Sequence, residues 1–101
     1  MIVYFLSPHK GSNLITINLQ KTSVSDNDAK LFAEVLETNY TLSIILLQSN
    51  SIGNEGALAL AEALKVNSTV TEINLRGNPV DNETKLLASK ISNDRIKWTF
   101  W

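Results

Sequence analysis

The 101-residue sequence contains no cysteine and only one histidine. Without cysteine there can be no disulfide, thiolate zinc site, iron–sulfur cluster or cysteine nucleophile. His9 lies between Pro8 and Lys10, with no carboxylate or second metal ligand near it in the sequence. Metal sites and catalytic sites need several convergent groups. We therefore predict a non-enzymatic protein that uses no metal and no cofactor.

The sequence also lacks an excess of charge and a long apolar run. Nine basic residues stand against ten acidic ones, which gives a net charge of −1. Binding to nucleic acid or to an anionic membrane usually requires a strong or clustered basic excess. No apolar stretch approaches the ~20 residues of a membrane-spanning helix, and the opening MIVYFL lacks the features of a signal peptide. We expect a cytoplasmic protein that binds neither nucleic acid nor membrane.

What the sequence does contain is an internal repeat. Leu14, Leu42, Val70 and Trp98 follow one another at steps of 28 residues (42−14, 70−42, 98−70). The same step relates two further apolar series, Ile17, Ile45, Ile73 and Leu19, Leu47, Leu75. A fixed period of this size predicts a stack of similar units, each built from one strand, one turn and one helix.

Within each unit, local signals indicate where the strand ends and the helix begins. The strand residues alternate between apolar and polar, so the apolar series above should face the core. Asn50 and Asn78 follow two of the strands, where a side-chain amide can satisfy backbone groups, and Thr22 stands in the corresponding place of the first unit. In the first helix we predict core positions at Phe32, Val35 and Leu36.

The period also divides the chain into segments. We predict an N-terminal cap over residues 1–13, in which MIVYFL could equally form a short strand. Repeat units would follow at 14–41, 42–69 and 70–97, and a fourth strand would begin at 98–101 with Trp98 in the anchor position. Terminal repeats are expected to be atypical because one side has no neighbour.

The pattern L-x-x-[IL]-x-L-x-x-N-x-[IV], followed by a helix, resembles the leucine-rich repeat over residues 14–101. The phrase IGNEGALALAEALKVNSTV is similar to the ribonuclease-inhibitor-like subclass, which is also found in NOD-like receptors, the Ran GTPase-activating protein and tropomodulin-like actin-filament cappers. The resemblance implies an α/β fold, a short right-handed β-α solenoid of about three 28-residue repeats. Its parallel sheet would line the concave face and its helices the convex face.

The resemblance further implies a protein–protein interaction module that binds a protein partner through its concave strand face. The outward strand positions that would form this site are Thr16, Asn18, Gln20, Ile44, Leu46, Gln48, Glu72, Asn74 and Arg76. Ile44 and Leu46 would be its apolar centre. An equally weighted alternative is an ordinary solvated sheet in which these two side chains cover neighbouring strands.

Two other functions stay open. Phe100 and Trp101 end the chain beside the predicted fourth strand, and an edge strand offers unpaired backbone groups to another chain. The protein could thus be a self-associating assembly unit, a homo-oligomer that pairs through terminal strands. Arg76 allows a more distant comparison with the Ran GTPase-activating relatives, which would imply a regulator of small GTPases.

Overall fold

The computed structural model describes residues 3–6 by their backbone and residues 15–99 in full. The elements in chain order are β1 (Val3–Leu6), β2 (Ile15–Asn18), α1 (Asp26–Leu36), β3 (Leu42–Leu46), α2 (Asn54–Val66), β4 (Glu72–Asn74), α3 (Asn82–Ile91) and β5 (Ile96–Lys97). The strands form one sheet in the order β1-β2-β3-β4-β5. Strands β2 to β5 pair in parallel, while β1 pairs antiparallel with β2. The predicted α/β fold with a parallel sheet and helices is confirmed.

One apolar core lies between the sheet and the helices. Two of the three predicted apolar series are buried in it throughout, namely Ile17, Ile45, Ile73 and Leu19, Leu47, Leu75. The helices contribute mainly alanine and leucine, with Leu36, Leu60, Ala61 and Leu64 completely buried. Small residues allow each helix to lie close to its neighbour, since packing distance depends on the side chains at the contact. Among the described residues, no helix is long and apolar enough to cross a membrane.

Asparagine side chains join successive units where the chain leaves each strand. The Asn50 amide nitrogen donates to the carbonyls of Leu19 at 2.9 Å and Leu47 at 3.0 Å, and its Oδ1 accepts the N–H groups of Thr22 and Val24. One unit later, Asn78 Nδ2 donates to the carbonyls of Leu47 at 2.8 Å and Leu75 at 3.0 Å, and its Oδ1 accepts the Ile52 N–H. The role predicted for these residues is therefore confirmed. Thr22 completes the first turn by donating its hydroxyl to the Leu19 carbonyl at 2.7 Å.

A second asparagine series joins the ends of the helices. Asn67 is 1% exposed, and its Nδ2 donates to the carbonyls of Leu36 and Asn39, both at 2.7 Å. Its Oδ1 accepts the N–H groups of Thr69 and Val70, at the start of the next strand segment. Asn67 thus ties one helix end to the unit before it and to the strand after it.

Each helix N-terminus is capped differently. Ser25 and Asp28 form a capping box on α1, and the Asp81 carboxylate accepts the Thr84 N–H on α3. The N-cap of α2, Gly53, has no side chain to do this. Asp26 of α1 takes its place, since its Oδ1 accepts the N–H groups of Gly53 and Gly56, both at 2.8 Å. The cap of α2 therefore also fastens α2 to α1.

Two sequence predictions about the ends of the stack are wrong. Val35 was expected in the core but is 52% exposed, because no helix among the described residues packs on that side of α1. Phe32 is partly buried and Leu36 is completely buried. Trp98 was expected opposite Val70, but β5 pairs Ile96 with Ile73 and Lys97 with Asn74. The last strand therefore comes five residues earlier than the period requires.

Arg95 marks the place where the period breaks. Arg95 stands 28 residues after Asn67. Its guanidinium donates to the carbonyls of Leu64 and Asn67. These carbonyls lie 28 residues after the carbonyls of Leu36 and Asn39, to which Asn67 donates. It also donates to the Val70 carbonyl at 3.1 Å. A guanidinium has no acceptor, so Arg95 cannot receive the N–H groups of a following strand as asparagine does.

Trp98 instead covers the far side of α3. It packs against the core, its indole N–H donates to Ser89 Oγ at 3.1 Å, and the Lys85 ammonium lies 5.8 Å from its ring centre. The proposed division of the chain into a cap at 1–13 and units at 14–41, 42–69 and 70–97 stays a prediction.

Candidate functional site

Parallel register places the predicted binding residues in rows on the sheet face that carries none of the described helices, which we call the helix-free face. Thr16 lies beside Ile44, and Ile44 beside Glu72. In the next row Asn18, Leu46 and Asn74 lie side by side. Neighbouring strands are ~4.8 Å apart, so each row forms a continuous line of side chains.

A third row lies just beyond the strand ends. The N–H of Lys21 donates to the Gln48 carbonyl at 3.1 Å, and the N–H of Ser49 donates to the Arg76 carbonyl at 2.9 Å. These bonds extend the ladder past the strands and keep Gln20, Gln48 and Arg76 in line. The three rows together contain all nine residues predicted for the concave face.

The side chains of the helix-free face are less exposed to solvent than the sequence suggested. Gln20 is exposed, whereas Thr16, Asn18, Ile44, Leu46, Gln48, Glu72 and Arg76 are partly buried. Ile44 and Leu46 thus keep some accessible area at the centre of the face while also packing against their neighbours. Both interpretations offered for this pair stay predictions.

Asn74 differs from the expectation because it is completely buried and cannot touch a partner directly. Strand β5 reaches this row through Lys97, so Asn74 has strand neighbours on both sides, Leu46 and Lys97. Its Oδ1 accepts the Arg76 N–H at 3.0 Å, as Asn18 accepts the Gln20 N–H. The Asn74 side chain therefore holds the backbone at the end of its own strand.

Sequence reasoning missed Lys97, which continues the second row after Asn74. The strict 28-residue period assigned the fourth strand to 98–101 and so left Lys97 out. The signal that could have revealed it is Arg95, which stands where the earlier units have Asn39 and Asn67. Such a change indicates that the regular bond pattern stops there.

Within the part of the chain that the structure describes, Gln48 Oε1 and Asn74 Nδ2 are buried and have no hydrogen-bond partner. A buried polar group left unpaired costs about 1–3 kcal/mol. Gln48 as a whole is only partly buried. Within the described part of the chain, no group of three or more His, Asp or Glu residues could hold a metal ion.

The predicted self-association residues, Phe100 and Trp101, lie outside the described residues, and so does the strand anchor Leu14. Strand β5 stands last in the sheet order. Pairing between copies at this end stays a prediction.

Comparison with known proteins supports the fold. A family model described as Leucine Rich repeat matches residues 38–61 and 66–83. A solved structure titled "Leiomodin-1 Actin-Binding Site 2 (ABS2)" is similar, with a TM-score of 0.70 and 26% sequence identity. The similarity covers 81% of this chain and 51% of that one, so the chain spans about half the length of that structure. No curated protein matches the chain. These findings support a leucine-rich-repeat protein.

Proposed function

We propose that this leucine-rich-repeat chain is a non-enzymatic protein-binding module that contacts its partner through the helix-free face. The observation that carries the proposal is the partly accessible pair Ile44 and Leu46, framed by polar side chains. An apolar centre with a polar rim is the usual composition of a protein interface. The face is also built on rigid, hydrogen-bonded strands, so little conformational entropy is lost when a partner binds.

The unpaired atoms on this face support the same proposal. A partner that donates a hydrogen bond to Gln48 Oε1 would remove part of the cost of its burial. Since Asn74 is completely buried, the contact surface consists of the remaining predicted residues, Thr16, Asn18, Gln20, Ile44, Leu46, Gln48, Glu72 and Arg76, joined by Lys97.

Actin is the first partner to test, because the similar solved structure is titled as an actin-binding site. That structure is about twice the length covered by this chain, so its binding properties extend to this protein only as a proposal. We further assign the chain to the ribonuclease-inhibitor-like subclass and to the cytoplasm, in agreement with its repeat length and its lack of cysteine. Self-association through the chain end is the alternative function.

The test is a titration of fluorescently labelled monomeric actin with the wild-type chain and two variants. Ile44→Lys combined with Leu46→Lys places two charges at the centre of the face. Leu86→Lys is the matched control, since Leu86 is 72% exposed on α3. We expect the double variant to weaken binding at least tenfold, because charges would be desolvated against an apolar contact, and the control to stay within twofold.

Two results would count against the proposal in different ways. Equal binding of the double variant and the wild type would show that the helix-free face is not the site. No binding of the wild-type chain would exclude actin as its partner. Circular dichroism spectra identical to the wild type are required of both variants.

A further inference from the structure

A second candidate surface lies on α1, away from the helix-free face. Leu31 and Val35 follow one another by one helical turn and are 62% and 52% exposed. Phe32 lies between them and the sheet and is partly buried. We call these three residues, with the cavities beside Phe32, the α1 groove.

The cavities give the α1 groove depth. One of about 290 Å³ runs from Phe32 to the core residues Leu19 and Leu47. Another of about 400 Å³ runs from Phe32 and Val35 to Ile17 and Leu42. An exposed apolar surface that opens onto the core is typical of an interaction site rather than of scattered surface leucines.

The protein itself shows what covers this surface elsewhere. Leu60 and Ala63 of α2 stand 28 residues after Phe32 and Val35, and they are 0% and 3% exposed. They are covered because α1 packs against α2. The two helices lie so close that a Cβ added to Gly56 of α2 would lie 3.1 Å from the Cβ of Ala29 in α1. The same position on α3, Ala88, is also completely buried. In both later units the covering element is an α-helix, so the shape of the α1 groove fits a helix.

The covering face of α1 also indicates which residues such a helix would present. Its buried positions are Ala29, Ala33 and Leu36, at a spacing of i, i+4 and i+7. Small residues at the first two places allow close approach. The groove residues Phe32 and Val35 are larger than Leu60 and Ala63, which makes small residues opposite them still more necessary.

The charges near the groove indicate which charge a partner would carry. Helix α1 carries Asp26, Asp28 and Glu34 against one base, Lys30. Lys30 points to α2, where it donates to Glu55 at 2.9 Å. Asp28 borders the smaller cavity, and Glu34 is exposed between Leu31 and Val35 in the sequence. Asp28 therefore places a carboxylate at the edge of the groove, and Glu34 adds an exposed carboxylate on the same helix.

We propose that the α1 groove binds a basic amphipathic α-helix of another protein. Its apolar stripe, with small residues at i and i+4 and a larger one at i+7, lies on Phe32 and Val35 as α1 lies on α2. Its lysines or arginines face Asp28 and Glu34. Helix-in-groove recognition of this kind uses the ordinary rules of helix packing. This surface is separate from the helix-free face and adds a second binding activity to the proposed function.

The probe is a synthetic fluorescein-labelled peptide, cross-linked to stay helical, with Ala, Ala and Leu at i, i+4 and i+7 and lysine on both flanks. The control peptide has glutamate in place of every lysine. Fluorescence anisotropy would measure the binding of both peptides to the wild-type chain, to Val35→Lys and to Val66→Lys. Val66 is the matched control residue, since it is 61% exposed on α2.

We expect the affinities of the lysine peptide for the wild type and for Val66→Lys to agree within twofold. Its affinity for Val35→Lys should be at least tenfold lower. The glutamate peptide should bind the wild type at least tenfold more weakly than the lysine peptide, and added salt should reduce this difference. If Val35→Lys loses its native circular dichroism spectrum, Leu31→Lys replaces it, with the same expected loss.

Three results would overturn the proposal. They are no binding of the lysine peptide at millimolar concentration, equal binding to Val35→Lys and Val66→Lys, and a wild-type dimer in light scattering that Val35→Lys abolishes. The last would show that the occupant of the groove is a second copy of this chain. Substitution of Ile44 and Leu46 by lysine should leave peptide binding unchanged, so the two binding surfaces are tested independently.

Discussion

At the scale of single residues, Gly56 shows how closely the helices approach. It lies in the first turn of α2, where alanine would ordinarily be favoured over glycine by about 1 kcal/mol. A Cβ at this position would lie 2.5 Å from Asp26 Oδ1, 2.8 Å from Ile52 Cγ2 and 3.1 Å from Ala29 Cβ. Because Asp26 is held by the N–H groups it accepts, it cannot move aside without uncapping α2.

Gly56→Ala should therefore destabilise the protein despite its better helix propensity. We expect the free energy of unfolding to fall by about 1–3 kcal/mol, as is usual for overpacking. Gly53→Ala is the matched control, since its φ is −99° and its one close contact is Asp26 Oδ2 at 3.0 Å. It should cost less than about 1 kcal/mol. Urea denaturation followed by circular dichroism measures both. A Gly56→Ala variant as stable as the wild type would show that the contact between α1 and α2 is loose.

At the scale of elements, the hydrogen bonds at the helix N-termini make the stability of the fold depend on pH. A hydrogen bond from the backbone N–H of Thr84 is the main reason why the pKa of Asp81 lies below its ordinary value of 3.8. Hydrogen bonds from the side chains of Thr84 and Asn54 lower it further. Backbone and side-chain hydrogen bonds from Ser25 lower the pKa of Asp28 in the same way. In each case the ionised carboxylate accepts these hydrogen bonds more strongly than the protonated acid does.

A lowered pKa in the folded state stabilises the fold above the unfolded value of 3.8, and this contribution is lost as the pH falls through the folded pKa. The melting temperature should therefore fall between about pH 4 and pH 2, and fall less steeply in Asp28→Asn combined with Asp81→Asn. Glu83→Gln is the control, because it removes a carboxylate from the first turn of α3 and leaves Asp28 and Asp81 in place. Equal slopes for the double variant and the wild type would mean that other acids cause the acid sensitivity.

The elements also show why part of the fold follows from the sequence. Each strand and helix contacts mainly the unit before and the unit after it, so a 28-residue period translates directly into buried positions such as Ile45 and Leu47. The period no longer predicts burial where a unit has a described neighbour on one side only. Val35 has the right spacing for the core, but none of the described helices covers it. Periodicity describes which face a residue occupies, whereas burial depends on what lies opposite.

At the scale of the whole molecule, the candidate site could be predicted only in outline. Alternation along the strands identified the rows of the helix-free face, because parallel register keeps equivalent residues side by side. The burial of Asn74 and the position of Lys97 depend on where β5 joins the sheet. Arg95 and Trp98 both stand at their period positions, but Arg95 lacks the acceptor of the earlier asparagines and Trp98 lies outside β5. The far end of the stack thus determines details of a surface that belongs mainly to the middle units.

Arg95 should accordingly hold the C-terminal end of the stack together. Its guanidinium donates to the carbonyls of Leu64, Asn67, Val70 and Ser92, which end α2, begin the next strand segment and end α3. Arg95→Ala leaves these carbonyls without that donor, and we expect a loss of about 2–4 kcal/mol in the free energy of unfolding. Arg95→Lys keeps the charge but loses the planar fork, so it should recover less than half of the loss.

Hydrogen exchange can locate this effect within the molecule. The Leu75 N–H donates to the Lys97 carbonyl of β5 at 2.8 Å, while the Leu47 N–H donates to the Asn74 carbonyl at 2.9 Å. If Arg95 anchors β5, the Leu75 amide should exchange at least tenfold faster in Arg95→Ala, because local opening of β5 becomes easier. The Leu47 amide should change only by the amount that the global loss of stability requires. Equal acceleration of the two amides would show that Arg95 stabilises the stack as one cooperative unit, since β5 would then open only when the middle strands open with it.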